Sequence, residues 1–453
     1  MSIKHILLFS FVLVFGGCAL TQTNLEKEEY IKALQKQDIV DEFWWKEFGS
    51  QSLNKLVDIG LENSPNILIA IEKIEQARLQ LNIADNSGLP TADIRASSSK
   101  SENKDKNSNK TRPESTSASL GISYEIDLWN RVKSSQKSSK ASFDASKYDY
   151  EALRLSLISN IVTTYFQYQM LNEKVNIAEQ NLEIATKVYN IVDTKYSNGI
   201  ANGLDISRQK SILLNQELNL SNLQKQQSEV FNALAILVGL MPEELDLEFE
   251  AIDKINVLDL DQEIDSDILY NRPDIAIAYE QILQSEASID LARAAKMPSF
   301  SLSASGGLSS ATLLSLHNPA SSLAMALSAS YNLFDGGELE NRVLIEKSKA
   351  KSSIFAYKNT LLNALKEVDD ALNSVSISKD QNILSKEILD EAQNSFELSE
   401  LQYRYGLNDL STLLDVQKSY FNAKESYIQQ RYSYLSNLVL LVKALGGGWQ
   451  DKE

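Results

Sequence analysis

The chain is written twice. The segment LENSPNILIAIEKIEQARLQLNIADNSGLP, starting at Leu61, aligns without a gap on LYNRPDIAIAYEQILQSEASIDLARAAKMP, starting at Leu269. That alignment pairs Asn63 with Asn271, Pro65 with Pro273, Glu72 with Glu280, Gln76 with Gln284, Ala84 with Ala292 and Pro90 with Pro298. Further on, Tyr196 and Gly199 match Tyr403 and Gly406. A repeat of this length means that one structural unit is built twice, so each element read in one copy is expected in the other.

Within each copy the elements follow one order. Pro65 and Pro273 suit the first turn of a helix, where a missing N–H costs nothing, and that helix should end before Pro90 or Pro298. A strand pair follows. Ala118, Leu120, Ile122, Tyr124, Ile126 and Leu128 alternate with Ser117, Ser119, Gly121, Ser123, Glu125 and Asp127. In the second copy Leu323, Met325, Leu327, Ala329, Tyr331 and Leu333 alternate with small or polar residues. The partner strands carry Ile94 with Ala96, and Phe300, Leu302, Ala304, Gly306 and Leu308 between serines. Strands of about ten residues, apolar on one face and Ser-rich on the other, fit a transmembrane barrel whose inner face meets water. A half-buried soluble sheet has the same alternation. The intervening loops, Lys100–Ser115 and Leu313–Ser321, read as exposed hairpin loops that face out of the cell.

Long helices come next. Prolines stand only at 65, 90, 113, 242, 273, 298 and 319, so the stretches after each strand pair are free of them. Val175, Ala178, Leu182, Ala185, Tyr189, Val192 and Tyr196 keep a three-four spacing, as do Leu361, Leu365, Val368, Leu372 and Val375, which predicts coiled-coil seams. A helix from Asn130 to Ser197 would be about 100 Å long and needs neighbours along its whole length. Gly199 and Gly406 are expected to cap these helices at positive φ, with Asn202, Asp205 or Asp409 opening the helix that returns.

Residues 1–17 have the layout of a signal peptide: Lys4 precedes an apolar run, Ile6 to Gly17, too short to span a bilayer. Gly16 and Gly17 then stand before Cys18, the one cysteine in the chain, and resemble a lipobox in which Cys18 takes the lipid; Phe15 stands where leucine is usual. An ordinary signal peptide with an incidental cysteine is the alternative. Ala19 after the cysteine resembles lipoproteins sorted to the outer membrane. With 44 basic against 61 acidic residues the formal charge is −17, which argues against nucleic acid as a partner. The two histidines, His5 and His317, leave no paired ligands for zinc, and no nucleophile–base set, P-loop or dinucleotide fingerprint is visible. The sequence therefore predicts no enzyme, no cofactor and no metal site.

The twofold repeat, the strand pair before each long helix, the NSP and NRPD segments, and the Y-x-x-G tips followed by L-D-I and L-L-D-V resemble the TolC/OprM outer-membrane factor family, in its lipoprotein (NodT-like) branch. The resemblance implies an α+β membrane protein. Three chains of four strands each would form a 12-stranded transmembrane β-barrel that continues into a periplasmic α-helical barrel. The expected layout is a signal peptide over 1–17, a lipidated segment over 18–50, a first repeat over 51–241 and a second over 263–453. An equatorial linker over 242–262 joins them. In the first repeat the strand pair falls at 92–128, the long helix at 130–197 and the return helix at 204–239; in the second they fall at 299–334, 337–405 and 409–446.

By position, the resemblance assigns a closed periplasmic gate to Asp205 and Tyr403, with Asp415 in an acidic ring. Thr412 and Asn408 stand where the family has a second ring residue and an arginine, and Arg404 is the nearby cation. Plain capping accounts for Asp205 equally well. Gly199, Ile200, Gly406 and Leu407 resemble the tip surface that meets a periplasmic adaptor. The implied partners are two further copies of the chain, that adaptor, an inner-membrane pump of the resistance-nodulation-division type, and outer-membrane lipid. The implied function is a passive gated duct for small molecules such as drugs, toxic compounds or metal ions. A type I secretion duct for polypeptides and a structural coiled-coil lipoprotein remain the alternatives.

Overall fold

The computed structural model describes residues 40–104, 110–258 and 266–449. The expected signal peptide and Cys18 lie outside the described residues. The first copy comprises α1 (Gln51–Asn63), α2 (Pro65–Asn86), β1 (Thr91–Lys100), β2 (Glu114–Glu125), α3 (Arg131–Ser197) and α4 (Gly203–Leu237). The second comprises α5 (Pro273–Ala294), β3 (Ser299–Ser310), β4 (Ala320–Ser330), α6 (Glu338–Arg404) and α7 (Leu410–Ala444). Corresponding helices match in length: 22 residues for α2 and α5, 67 for α3 and α6, 35 for α4 and α7. The duplication is therefore carried by the helices themselves, and insertions are confined to loops.

The described residues fall into two compact units that cut across the repeats. One comprises Ile74–Ser146 and Ala278–Tyr357; the other takes in residues 40–73, Lys147–Ile277 and the chain from Lys358 onward. Each repeat contributes to both.

The first unit holds the four-stranded sheet, antiparallel throughout, in the order β1-β2-β3-β4. Register aligns the alternation of every strand. Ile94 opposes Leu120, Leu120 opposes Gly306 and Gly306 opposes Leu323; Tyr124 opposes Leu302, which opposes Leu327. Directly opposed residues point to the same face, so the apolar sets coincide on one side and the serines on the other. The apolar side is bare: Leu323, Met325 and Leu327 are 84, 77 and 68% exposed. β1 and β4 are the open edges. The β1–β2 hairpin continues as a short ladder in which Asn103 and Lys104 pair with Thr111 and Lys110.

The second unit has a conventional core. In α3, Ile158, Ile161, Val162, Tyr165 and Phe166 are buried, and in α7 so are Leu435, Leu438, Val439 and Val442. An aromatic knot from the N-terminal segment, Trp44, Trp45 and Phe48, is also buried, with Phe48 edge-on to Phe166 at 5.0 Å. Along α6 the buried positions recur every seven residues at Val343, Ala350, Tyr357, Ala364, Ala371, Ser378 and Ser385. Leu365, expected in the seam, is exposed. Small residues, which let a neighbouring backbone approach closely, recur in this seam beside Val343, Tyr357, Val368 and Leu389, which are also buried, while Leu362, Leu365, Ile377 and Leu384 are left on the outside.

The chain between the repeats is stapled along one stripe of α3. Tyr165, Gln169 and Glu173, four residues apart, share a helix face. The Tyr165 hydroxyl donates to Glu250 Oε2 at 2.7 Å. Gln169 donates to the Glu248 carbonyl and accepts from the Glu250 amide, both at 3.1 Å. Glu173 Oε1 accepts from the Ile252 amide at 2.7 Å. Ser50, whose hydroxyl caps α1, donates to the same Glu250 oxygen at 2.5 Å, and Arg431 donates to the Ile255 carbonyl at 2.7 Å. Burial pushes the Tyr165 hydroxyl up to about 12, so it remains a donor.

The NRPD signature acts as a hub. Arg272 is almost wholly buried. It bonds Asp274 through two nitrogens at 3.0 and 2.8 Å, Glu367 at 2.6 Å and the Ala444 carbonyl at 2.8 Å. Pro273 opens α5, and the Asn271 carbonyl accepts from Trp449 Nε1 at 2.6 Å.

The return helices end alike, at Gly239 (φ 76°) and Gly446 (φ 95°). A Cβ on Gly239 would lie 2.4 Å from the Asn63 carbonyl oxygen, and one on Gly446 3.3 Å from that of Asn271. Both positions carry the left-handed penalty for an L side chain, about 1–2 kcal/mol. Only Gly239→Ala adds a backbone clash. It should therefore lower the melting midpoint in detergent by more than Gly446→Ala does; equal losses would leave φ as the sole cause.

Burial raises the Glu173 carboxyl, opposed by the bond from the Ile252 amide. The folded chain thus binds this proton more tightly than the unfolded one. Its stabilising contribution is full below the ordinary carboxylate range and is lost as pH rises through the raised value. Glu173→Gln keeps the acceptor without the buried charge. It should raise the melting midpoint at neutral pH and leave it unchanged near about pH 3.5, below the ordinary Glu value.

Candidate functional site

Two parts of the molecule could do work on a solute: the polar face of the sheet and the helical tips. On the polar face, serine hydroxyls pair across β1 and β2: Ser97 with Ser117 at 3.0 Å and Ser99 with Ser115 at 2.9 Å. Ser303, Ser305 and Ser309 of β3 continue that face, as do Ser322 and Ser328 of β4. Its charges are paired. Asp93 meets Arg95 at 2.7 Å, and Glu125 meets Arg131 at 2.5 Å. Such a face can wet a conduit while offering little fixed charge to a passing solute. None of the described helices is long and apolar enough to cross a membrane; the exposed apolar band belongs to the sheet.

The tips share one geometry. At the end of α3, Gly199 (φ 71°) donates to the Tyr196 carbonyl at 2.9 Å, and Ile200 donates to that of Lys195 at 2.8 Å. At the end of α6, Gly406 (φ 72°) donates to Tyr403 at 3.0 Å, and Leu407 donates to Gln402 at 2.9 Å. Each pattern satisfies the last carbonyls of its helix. A Cβ at either glycine would meet nothing within 4 Å, so φ alone selects glycine here. Ile200 and Leu407, next in sequence, are 75 and 79% exposed.

The return helices are capped by side chains. Asn202 Oδ1 accepts from the Leu204 and Asp205 amides at 2.9 and 3.0 Å, and Asp205 Oδ2 accepts from the Asn202 amide, closing a capping box. Asp409 Oδ1 accepts from the Thr412 hydroxyl at 2.7 Å and the Thr412 amide at 2.8 Å. Those two bonds hold the Asp409 carboxyl below its ordinary range. Asn408 donates to Ser399 at 3.2 Å, tying the tip loop to the last turns of α6.

Of the residues assigned to the gate, Asp205 is engaged in the capping box, and Arg404 pairs with Glu400 one turn earlier at 2.9 Å. Tyr403 lies in the last turn of α6, half exposed, and Asp415 lies in the second turn of α7. Among the described residues no hydrogen bond joins Asp205 to Tyr403. Sequence reasoning missed the Arg404–Glu400 pair, although its four-residue spacing is an ordinary helical ion-pair signal. It also missed Trp44, Trp45 and Phe48, marked by the aromatic density of Phe43–Phe48, and the reach of Arg272, marked by nothing but its place in the repeat.

A duplicated chain with an amphipathic four-stranded sheet open at both edges and two helical hairpins with capped tips belongs to the class of outer-membrane channel subunits. Comparison with known proteins makes this specific. A model of the outer membrane efflux protein family matches residues 56–240 and 265–447, one stretch in each copy. The pyoverdine export outer membrane protein OpmQ of Pseudomonas aeruginosa is 30% identical over 100% of this chain and 98% of its own length. The cation efflux system protein CusC of Escherichia coli is 26% identical, with 100% of both chains covered. The crystal structure of the Campylobacter jejuni CmeC outer membrane channel superposes with a TM-score of 0.85 at 28% identity, covering 96% of each chain. The chain belongs to the outer membrane efflux protein family, and its function is that of an outer-membrane efflux channel component.

Removing a cap isolates its local role. Asn202→Ala should destabilise the first turn of α4 by about 1 kcal/mol. Amide exchange at Leu204 and Asp205 would then accelerate while the α6–α7 tip keeps its protection. Unchanged exchange at those amides would show that the capping box does not hold the turn.

Proposed function

We propose that three copies of this chain form a passive, gated duct that carries small molecules from periplasm to exterior. The sheet carries this reading. Four strands cannot close on themselves, and unpaired backbone groups are not tolerated in lipid, so the apolar face can meet a bilayer only in a closed assembly of several chains. Export by way of residues 1–17 and acylation of Cys18 would anchor the N-terminus, each buried methylene contributing about 0.8 kcal/mol. The tips bearing Gly199, Ile200, Gly406 and Leu407 offer the surface for a periplasmic adaptor. An inner-membrane pump of the resistance-nodulation-division type supplies the energy. The cargo is a small molecule, a drug, toxic compound or metal ion, in keeping with relatives named for pyoverdine and for cations.

At the closed tip, Asp205 and Tyr403 lock inner to outer helix pairs, Arg404 serves as the nearby cation and Asp415 lines an acidic ring. Each bond of the lock contributes about 1 kcal/mol, so a ring of three holds the tip shut only until an adaptor adds differential contacts to the open form. Replacing Asp205 with Ala and Tyr403 with Phe together should raise the leak conductance of the purified assembly in planar bilayers several-fold. Conductance equal to that of the parent would remove the gate from these residues and leave Asp205 as a cap.

A further inference from the structure

The loop between β3 and β4, residues 311–319, turns sideways and lies back across the hairpin ends of β2 and β1. Three hydroxyls hold it there. Ser98, Thr116 and Ser310 are directly opposed across β1, β2 and β3, so they point to one face. Two residues earlier or later on the same strands stand Ala96, Ala118 and Leu308, which puts the three hydroxyls on the apolar face and not on the serine face. The row is a polar interruption at the end of the apolar side. The Leu314 amide donates to Ser98 Oγ at 3.0 Å, the Ser98 and Thr116 hydroxyls meet at 2.9 Å, and Thr116 donates to the Thr312 carbonyl at 2.6 Å. Ser310 donates to the His317 carbonyl at 3.0 Å. One row further out, the Leu313 amide donates to Glu114 Oε2 at 3.3 Å, and Lys100 donates to Glu114 Oε1 at 2.6 Å.

A hydroxyl carries one proton. Thr116 gives its proton to Thr312, so Ser98 gives its own to Thr116 while accepting from Leu314. The relay runs one way and leaves neither hydroxyl without a partner, the condition for taking such groups out of water. What the loop shows to the outside in their stead is apolar: Leu314 is 83% exposed and Leu316 38%. Leu314 holds φ at 54°, a conformation that bulky residues rarely adopt. An exposed leucine at such a position gains nothing from water, whereas hydrocarbon rewards its whole surface. The β1–β2 hairpin behaves differently. It continues outward through Asn103, Lys104, Lys110 and Thr111, all of them polar.

Resting on the membrane-duct reading above, we propose that the β3–β4 loop is an apolar foot inserted among the acyl chains of the outer leaflet, with the Ser98, Thr116 and Ser310 row as its mount. Continuity selects the partner. The foot lies on the same side of the sheet as Ile94, Leu120 and Leu308 and prolongs that apolar face where the strands themselves turn polar. Lys100 and Glu114, one row beyond, stand at the level of the headgroups. The foot thus sets how deep the outer end of the barrel sits, while the β1–β2 hairpin beside it stays in water.

Nitroxide labels read the surroundings of a side chain through collisions with oxygen, which concentrates in hydrocarbon, and with a nickel chelate, which stays in water. The full-length protein is reconstituted in palmitoyl-oleoyl phosphatidylcholine vesicles. Labels are placed singly through Leu314→Cys in the foot, Leu323→Cys in the apolar band and Lys104→Cys in the polar hairpin, and the unsubstituted protein controls for Cys18. The ratio of oxygen to nickel collisions at 314 should match that at 323 and exceed that at 104 several-fold. A ratio at 314 equal to that at 104 puts the loop in water and overturns the foot. A label at 314 that neither reagent reaches puts it against protein and overturns the foot as well. A ratio at 323 as low as that at 104 overturns the membrane reading itself, and the foot with it. Ser98→Ala with Thr116→Val removes two of the loop's attachments and adds no polar group. The ratio at 314 should then fall several-fold; a ratio that stays high overturns the hydroxyl row as the mount.

Discussion

Backbone hydrogen bonding at the edges of the sheet is the constraint on which the rest depends. In lipid an unpaired N–H or C=O has no water to turn to, and each one costs several kcal/mol. β1 and β4 expose such rows along ten or eleven residues. A single chain with this sheet is therefore an incomplete object in a membrane, and its apolar face, open edges and duplicated plan make sense together as parts of a closed assembly. The polar face acquires its role by the same step, since closure turns a row of serines into the wall of a water-filled passage.

The helices answer a different demand. Helices of 67 residues cannot be stable alone, and their stability comes from neighbours. Within one chain small residues, Ala350, Ala364, Ala371 and Ser378 among them, recur in the seam of α6. Exposed leucines and isoleucines on the flanks are what remains for other copies. The linker staple on Tyr165, Gln169 and Glu173 ties the chain between the repeats to the middle of α3, and the Arg272 hub fastens the last carbonyl of α7.

What the sequence made legible follows from periodicity. Strands with a period of two declare both faces, so alternation alone reveals the shared apolar side of Leu120, Ile122, Leu302 and Leu327. The tips were equally plain, because glycine at 199 and 406 answers a positive φ that few other residues accept. The seam of α6 was legible in part, since Val368 of the expected set is buried, but a three-four pattern cannot tell the face packed within the chain from the face left for neighbours, and Leu365 is exposed in the single chain. Arg272 and the aromatic knot at Trp44, Trp45 and Phe48 depend on partners distant in sequence, which no local pattern records. Two compact units that cut across two repeats were also hidden, because a long helix carries one sequence pattern through both.

The most direct test of the central claim is single-channel recording of the purified, unboiled protein in a planar bilayer, with its native mass measured on the same sample. A trimer that gives small, cation-preferring and rarely open currents is the predicted result. A monomer that conducts nothing would contradict the account and would return the chain to a structural coiled-coil lipoprotein.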